Sequence, residues 1–110
     1  MRFAVAILLA LTMPARAEDI DSANYYLPGC KGFLEITSGE ATGHQWLCVG
    51  FVTGLAFGIT GKDTCLPEKV TNNHVVVVVV KYIEARPERM HEQFGDLAIE
   101  ALTAAWPCKR

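Results

Sequence analysis

The chain has 110 residues, of which 51% are hydrophobic and 20% charged, and its formal net charge is -2. This length suits one small domain and leaves no room for a separate cofactor-binding domain. The apolar fraction is too high for a disordered tail, and the mildly acidic balance argues against the basic surface of a nucleic-acid-binding protein. We therefore expect one small domain that does not bind nucleic acid.

The first 17 residues have the pattern of a secretory signal peptide. Arg2 supplies a positive start, an apolar run extends from Phe3 to Met13, and residues 15–17 have the A-x-A form of a cleavage site. The run is too short to span a bilayer, and the alternative of a buried N-terminal helix is disfavoured by this anatomy. We predict that residues 1–17 are cleaved off after Ala17 and that residues 18–110 form a periplasmic domain.

Cleavage of the signal peptide changes the length and the net charge of the protein that folds. Removing 17 of the 110 residues leaves 93, and the net charge becomes -4 because two of the ten basic residues and none of the acidic ones lie in the leader. A domain of this size buries a limited fraction of its surface, so disulfides formed in an oxidising compartment would stabilise it. All four cysteines lie in the exported part: Cys30, Cys48, Cys65 and Cys108.

The first segment of the exported part extends from Ser22 to Ile36. Ser22 is a candidate N-cap, but Pro28 and Gly29 would interrupt a helix there. The sequence therefore predicts a helical turn followed by a short helix that begins near Pro28.

The second segment, from about Thr42 to Thr60, is apolar nearly all round, which predicts a buried central helix. Three of its glycines recur at every fourth position, and glycine is costly inside a helix, so this stripe predicts a groove that another helix approaches closely. A transmembrane helix is the alternative interpretation, although the uncharged stretch is at the short limit for spanning and contains a cysteine. The glycines are Gly50, Gly54 and Gly58.

The third segment contains six consecutive valines at positions 75–80. Valine propensity alone favours a buried strand. The flanks favour a helix, because Thr71 is a good N-cap, Val70 and Val75 occupy the positions of a hydrophobic staple, and no other segment offers a partner strand. We predict a helix that ends near Arg86.

The fourth segment is predicted to be a helix that begins with Pro87 as its first residue and stops at Pro107. Apolar residues at helical spacing form one face of it, and acidic residues at steps of four form the opposite arc. These acidic residues are Glu88, Glu92, Asp96 and Glu100. The predicted fold class is all-α, a small four-helix, disulfide-stapled bundle.

An antiparallel hairpin of the last two helices predicts the disulfide pairing. The residues before the third helix and after the fourth would meet at one end of the hairpin, and these are Cys65 and Cys108. The turn between the first two segments centres near Gly39, with Cys30 and Cys48 nine residues away on either side. We therefore predict the pairs Cys30–Cys48 and Cys65–Cys108.

A zinc site is the competing interpretation of the cysteines, with His44, His74 and His91 as further ligands. The spacing does not support it, since the sequence has no CxxC, HxxxH or HExxH motif. It also has no GxSxG motif and no phosphate-binding glycine loop, and an even number of cysteines in an exported chain predicts pairing rather than a free thiolate. We predict no metal, no cofactor and no enzymatic activity, with a small exported hydrolase as the enzyme-class alternative.

Four motifs stand in order along the chain. They are Cys48-Val49-Gly50-Phe51-Val52-Thr53-Gly54, Cys65-Leu66-Pro67-Glu68-Lys69-Val70-Thr71, Val79-Val80-Lys81-Tyr82-Ile83 with Pro87-Glu88-Arg89-Met90-His91, and Ala105-Trp106-Pro107-Cys108. Together they resemble the motifs of the Rap/Tai family of type VI secretion immunity proteins. The resemblance covers about residues 23–109 and implies a periplasmic, mostly helical, disulfide-bonded protein that is often a dimer. It also implies a partner, a secreted peptidoglycan amidase that the protein binds and blocks.

The sequence and the resemblance together lead to one functional hypothesis. We expect a non-enzymatic periplasmic binding protein that occludes the active-site cleft of an amidase effector, with no stable membrane span in the mature chain and a homodimer as its possible form. The alternative is an envelope stress or accessory protein with the same fold and no effector partner. The candidate contacts lie in the loop from residue 61 to 69 and on the acidic arc: Glu68, Lys69, Glu88, Glu92, Asp96 and Glu100.

Overall fold

The computed structural model describes residues 19–37 and 39–109. These residues form an all-α bundle, as predicted, and contain no β-strand, only three isolated bridges. The predicted signal peptide, residues 1–17, lies outside the described residues. The helices are α1 (Ala23–Leu34), α2 (Gly43–Ile59), α3 (Asn72–Glu84) and α4 (Phe94–Ala105), and a short 3-10 helix, Pro87–Arg89, precedes α4.

Helix α1 begins where its cap predicts but continues through its proline. The Ser22 hydroxyl oxygen accepts a hydrogen bond from the Tyr25 N–H at 3.3 Å, which confirms Ser22 as the N-cap. The prediction of a helix that begins near Pro28 is wrong, because Pro28 lies inside α1. Its side chain is on the exposed side of the helix, so water can solvate the carbonyl that loses its helical donor, while Leu27 and Cys30 anchor the opposite side in the core.

Helix α2 has the predicted extent but is not buried on all sides. Its buried residues lie on one side of the helix, against α1, α3 and α4. The opposite side is open to solvent, because three neighbouring helices cover only part of its circumference. The prediction of a buried central helix therefore holds only for the side of α2 that packs against the other helices. The buried residues are Cys48, Val49, Val52 and Ala56.

The close approach between helices lies in α1 rather than at the glycine stripe of α2. Among the described residues, a side-chain carbon added at Gly50, Gly54 or Gly58 would meet nothing within 4 Å, so the predicted helix-packing groove is wrong for this part of the chain. A carbon added at Gly29 would overlap the backbone oxygen of His44 and lie 2.9 Å from its carbonyl carbon. The backbones of α1 and α2 meet at this point.

Helix α3 confirms that the valine run is helical. The Thr71 hydroxyl oxygen accepts a hydrogen bond from the His74 N–H at 3.1 Å, and four of the six valines are buried on one face together with Ile83. The cap starts the helix, and burial of this face offsets the modest helical cost of valine. None of the isolated bridges involves the valine run.

Helix α4 begins seven residues later than predicted, because the chain before it pairs with the start of α1. The N–H groups of Ala23 and Asn24 donate to the carbonyls of Glu92 and Met90, respectively, and the Phe94 N–H donates to the backbone carbonyl of Asp21. These peptide groups are thus satisfied outside a helix, and Pro87 begins only the 3-10 turn.

Helices α3 and α4 form the antiparallel hairpin that positions the cysteines. The structure joins Cys65 to Cys108 across the open end of the hairpin and Cys30 to Cys48 between α1 and α2. Cys30 and Cys48 are fully buried, so one disulfide lies in the core and the other at the surface. None of the helices among the described residues is long and apolar enough to cross a membrane.

Candidate protein-binding surface

The loop from residue 61 to 69 is held in a fixed shape by the end of the chain. The Cys65 N–H donates to the Trp106 carbonyl at 2.8 Å, and the Cys108 N–H donates to the Asp63 carbonyl at 3.1 Å. These two bonds flank the disulfide, and Gly61, with a φ of +103°, turns the chain into the loop. The loop therefore presents its exposed residues from a rigid support.

A buried pair of hydroxyl groups joins the loop to α4. Thr64 is almost completely buried, and its hydroxyl lies 2.7 Å from the hydroxyl of Thr103 on α4. Among the described residues, the only other buried polar residue is Ser22, whose hydroxyl donates to the Asp19 carbonyl. Both buried hydroxyls thus have structural hydrogen-bond partners.

Two depressions flank the loop. One, of about 810 Å³, lies between residues 58–64 and α4, where Ile99 and Thr103 line it. The other, of about 230 Å³, lies between the end of α2 and residues 66–70 and has mainly apolar walls. The loop, which we call the ridge, therefore separates two hollows that are open to solvent, and its exposed side chains are accessible to another macromolecule.

The candidate contacts Glu68 and Lys69 are both exposed on this ridge. Lys62 and Asp63 are exposed on its other half. The loop thus offers both signs of charge within a few residues, so a partner would need a mixed rather than a purely basic surface here.

The acidic arc is not the continuous helical ridge that the sequence predicted. Glu88 belongs to the 3-10 helix and Glu92 to the turn after it, so only Asp96 and Glu100 lie on α4. This prediction was wrong because the helix starts at Phe94.

Two of the four acidic residues are already paired within the protein. The Arg89 guanidinium donates to both carboxylate oxygens of Glu92, at 2.6 and 2.9 Å, and to both of Glu100, at 2.7 and 2.9 Å. The Tyr82 hydroxyl also donates to Glu100, at 3.0 Å. Through Arg89 and Tyr82, these two carboxylates join the turn before α4 to α3 and α4. Because Glu92 and Glu100 already accept these hydrogen bonds, they are poor candidates for contact with a partner.

This network shifts the pKa values of Arg89, Glu92 and Glu100. Hydrogen bonds from Arg89 and then Tyr82 lower the pKa of Glu100 from 4.5 to about 2. The hydrogen bond from Arg89 also lowers the pKa of Glu92, and the two carboxylates raise the pKa of Arg89. All three side chains retain contact with water, so salt screens the network.

We expect the network to make stability depend on pH below 4.5. A carboxyl group whose pKa is lower in the folded state stabilises the fold above its unfolded pKa, and this contribution is lost as the pH falls from about 4.5 towards 2. The thermal midpoint should fall over this range, and Arg89→Gln should flatten the fall. Thermal melts between pH 2 and 7 test this, with Lys31→Gln, which removes the more exposed Lys31–Glu84 pair, as the control. Equal pH profiles for Arg89→Gln and the wild type would contradict it.

The structure does not bring the predicted contacts together. Glu68 and Lys69 lie beside the open end of the α3–α4 hairpin, whereas Glu88 and Asp96 lie near its turn. A partner bound at one end of the hairpin therefore need not contact the other end.

The histidines of the proposed zinc alternative are dispersed. His44 packs edge-on against Tyr25, and His74 packs edge-on against Trp106. The described residues contain no group of three histidine, cysteine or acidic side chains that could hold a metal ion.

Helix α2 carries an exposed apolar face that was not predicted from the sequence. This face lies opposite the buried side of the helix, and its side chains are 37–77% exposed. The signal was present, since a helix that is apolar all round has more apolar surface than one small bundle can cover. The exposed side chains are Trp46, Leu47, Phe51 and Phe57.

Comparison with known proteins identifies the family. The family model of the Rap1a immunity proteins matches residues 22–108, which is nearly all of the described chain. No curated protein and no solved structure matches. An immunity protein acts by binding a toxin, so the match indicates a protein partner. The chain belongs to the Rap1a immunity protein family.

Proposed function

We propose that this protein is exported to the periplasm and protects the cell by binding a type VI secretion amidase and covering the cleft in which that enzyme cleaves peptidoglycan. The observation that carries the proposal is the family match over residues 22–108. The pattern of residues 1–17 supports export, and the two disulfides suit an oxidising compartment.

The proposed mechanism is steric and needs no chemistry from this chain. A ridge fixed by a disulfide and two backbone hydrogen bonds can enter a cleft without a large loss of conformational freedom. The hollow on either side of the ridge leaves room for the rims of the cleft. We propose that Glu68 and Lys69 make the principal contacts, with Glu88 and Asp96 outside them.

Protection of living cells tests the function. Cells that receive the candidate amidase in the periplasm should lyse, and co-expression of this protein should prevent lysis only when residues 1–17 are present to direct export. Calorimetry with the purified amidase should show a stable complex, and hydrolysis of peptidoglycan should fall as the complex forms. Absence of both binding and protection would contradict the proposal and favour an accessory protein of the same fold.

Exchange of two neighbouring charges tests the contact surface. The double variant Glu68→Lys, Lys69→Glu keeps the net charge and alters only exposed side chains, so the fold should be retained. We expect it to weaken binding to the amidase by about tenfold or more, because charges that fit the partner would then meet like charges.

The control for this exchange is Glu88→Lys at the hairpin turn. Glu88 is exposed, and we expect binding of this variant to remain within about twofold of the wild type. The opposite result, with a loss of binding in Glu88→Lys and none in the exchange variant, would place the contact at the hairpin turn instead.

A further inference from the structure

We propose that the smaller hollow beside the ridge receives one large apolar side chain of the effector, with a lysine or arginine of the effector against Glu68 at the edge of the hollow. The inference rests on the proposed function and adds the chemistry of the segment that the ridge meets. The hollow lies between the end of α2, residues 66–70 and the start of α3, and we call it the α2–α3 hollow. Its apolar walls are formed by Ala56, Phe57, Leu66, Pro67, Val70 and Val75.

The α2–α3 hollow reaches the hydrophobic core. Ala56 is 2% exposed and Val75 is 3% exposed, and Leu66 and Val70 are partly buried against the core. A side chain that entered the hollow would thus leave water and contact core residues, which is favourable in proportion to its apolar area. Phe57, which is 77% exposed, would be covered by the same side chain.

The hydroxyl groups in the walls are already engaged within the protein. The Thr53 hydroxyl donates to the Val49 carbonyl at 2.6 Å, and the Thr60 hydroxyl oxygen accepts a hydrogen bond from the Leu66 N–H at 3.1 Å. Asn72 is exposed, so water can solvate its amide. An apolar occupant therefore takes no hydrogen bond away from these walls, whereas a polar occupant would lose its own bonds to water.

The walls keep their positions without a partner. The hydrogen bond from Leu66 to Thr60 joins the ridge to the end of α2, and the Val70 N–H donates to the Pro67 carbonyl at 3.2 Å. The Cys65–Cys108 disulfide fixes the residue just before Leu66. The hollow is thus formed before an effector arrives, and binding costs little ordering of this side of the interface.

The volume of the α2–α3 hollow suits one side chain. A dry cavity of about 150 Å³ holds a benzene ring, and small-molecule sites have volumes of about 300–1,000 Å³. The hollow, of about 230 Å³, lies between these values. It therefore has room for a phenylalanine or leucine side chain and is smaller than a typical small-molecule site. A pocket that takes a buried apolar anchor is the usual centre of a protein interface.

The charge at the edge of the hollow indicates the neighbour of that side chain. Of the described residues that line the hollow, Glu68 is the one that carries a charge, and it is exposed. A carboxylate there attracts a cation and repels an anion, so it favours a lysine or arginine of a protein over an anionic lipid headgroup. Glu68 also belongs to the proposed contact surface on the ridge, so the hollow continues that surface.

A variant that fills the hollow from its own wall tests the proposal. Thr53→Leu puts a larger apolar side chain at a half-buried position that lines the hollow, and leucine has the higher helix propensity, so the thermal midpoint should not fall. Calorimetry should show that binding to the purified amidase weakens about tenfold or more, because the hollow no longer accepts the anchor. Asn73→Leu adds the same side chain to an exposed position of α3 that does not line the hollow, and its binding should stay within about twofold of the wild type.

Dipeptide probes test the chemistry without the amidase. At millimolar concentration, N-acetyl-phenylalanyl-lysine amide should shift the methyl NMR signals of Val70 and Val75 in the wild type but not in Thr53→Leu. N-acetyl-glycyl-lysine amide, which has no apolar side chain, should shift neither signal. N-acetyl-phenylalanyl-glutamate amide should bind about threefold more weakly than the lysine probe, because its carboxylate would face Glu68.

Four results would overturn the proposal. They are equal binding of the amidase by Thr53→Leu and the wild type, equal losses in Thr53→Leu and Asn73→Leu, absence of shifts from the phenylalanyl-lysine probe, and equal shifts from the phenylalanyl-lysine and glycyl-lysine probes. A loss of amidase binding in Thr53→Leu that accompanies a change in the mass of the free protein would also overturn it, because the hollow would then belong to a contact between copies. Failure of the wild type to bind the amidase, with the probe shifts as expected, would contradict only the proposed function.

Discussion

Replacing both Cys65 and Cys108 with alanine is expected to lower the free energy of unfolding by about 4 kcal/mol. The disulfide closes a loop with a sequence separation of 43 residues, and the chain-entropy account assigns about that value to such a loop. A domain of this size has a total stability on the order of 5–15 kcal/mol, so the loss is a large fraction of it. Urea unfolding of the oxidised wild type and the double variant measures the difference.

The loss should have a local signature as well. Two backbone hydrogen bonds join the loop to the segment after α4, and without the disulfide they must hold this junction alone. We expect faster amide exchange at positions 65 and 108, while the valine face of α3 stays protected. The slope of free energy against urea should rise, because the unfolded chain is no longer cross-linked. A stability loss below about 1 kcal/mol would contradict this assignment.

Replacing Gly29 with alanine is expected to destabilise the fold by about 3 kcal/mol, the upper end of the range for overpacking. The added carbon would overlap the backbone of His44, and backbone atoms cannot rotate away as a side chain can. The neighbouring Cys30–Cys48 disulfide joins the same two helices, so α1 and α2 cannot simply separate to make room.

Gly32 provides the matched control in the same helix. An added carbon at Gly32 would lie 2.8 Å from the amide nitrogen of the Gln45 side chain, which is the far end of a flexible group. We expect Gly32→Ala to change the free energy of unfolding by less than about 1 kcal/mol, since gained helix propensity offsets a small side-chain movement. Equal effects of the two substitutions in chemical unfolding would show that the close approach at Gly29 does not limit packing.

Gly29 and the glycine stripe of α2 together show what a glycine pattern can predict. The regular stripe at Gly50, Gly54 and Gly58 suggested a packed groove, whereas the isolated Gly29 beside Pro28 suggested a helix break. The structure reverses both interpretations. Regular spacing states which residues share a face, but the position of the neighbouring helices decides whether that face is covered.

Local signals predicted the helices well where the cap and the apolar face agreed. Thr71 and the valine run specified α3, and the breaks around α2 specified its extent, because capping and helical periodicity act within a few residues. The start of α4 could not be predicted in this way. Hydrogen bonds from the start of α1, distant in sequence, hold the chain before Phe94 in a non-helical path.

The candidate contacts were likewise predictable from the sequence only in part. The sequence identified Glu92 and Glu100 as charged residues at helical spacing, but only the fold shows that Arg89 binds both carboxylates. It also shows that the loop with Glu68 and Lys69 and the turn with Glu88 lie at opposite ends of a hairpin.

The sequence by itself determined the all-α class and the family. Helix caps, helical periodicity and the order of motifs depend only on which residues are near one another in the sequence. Only the tertiary structure decided which face of α2 stays uncovered and which glycine lies at a helix contact. These properties depend on how many neighbours a helix has and where they cross it, and in so small a bundle three helices cannot surround the fourth.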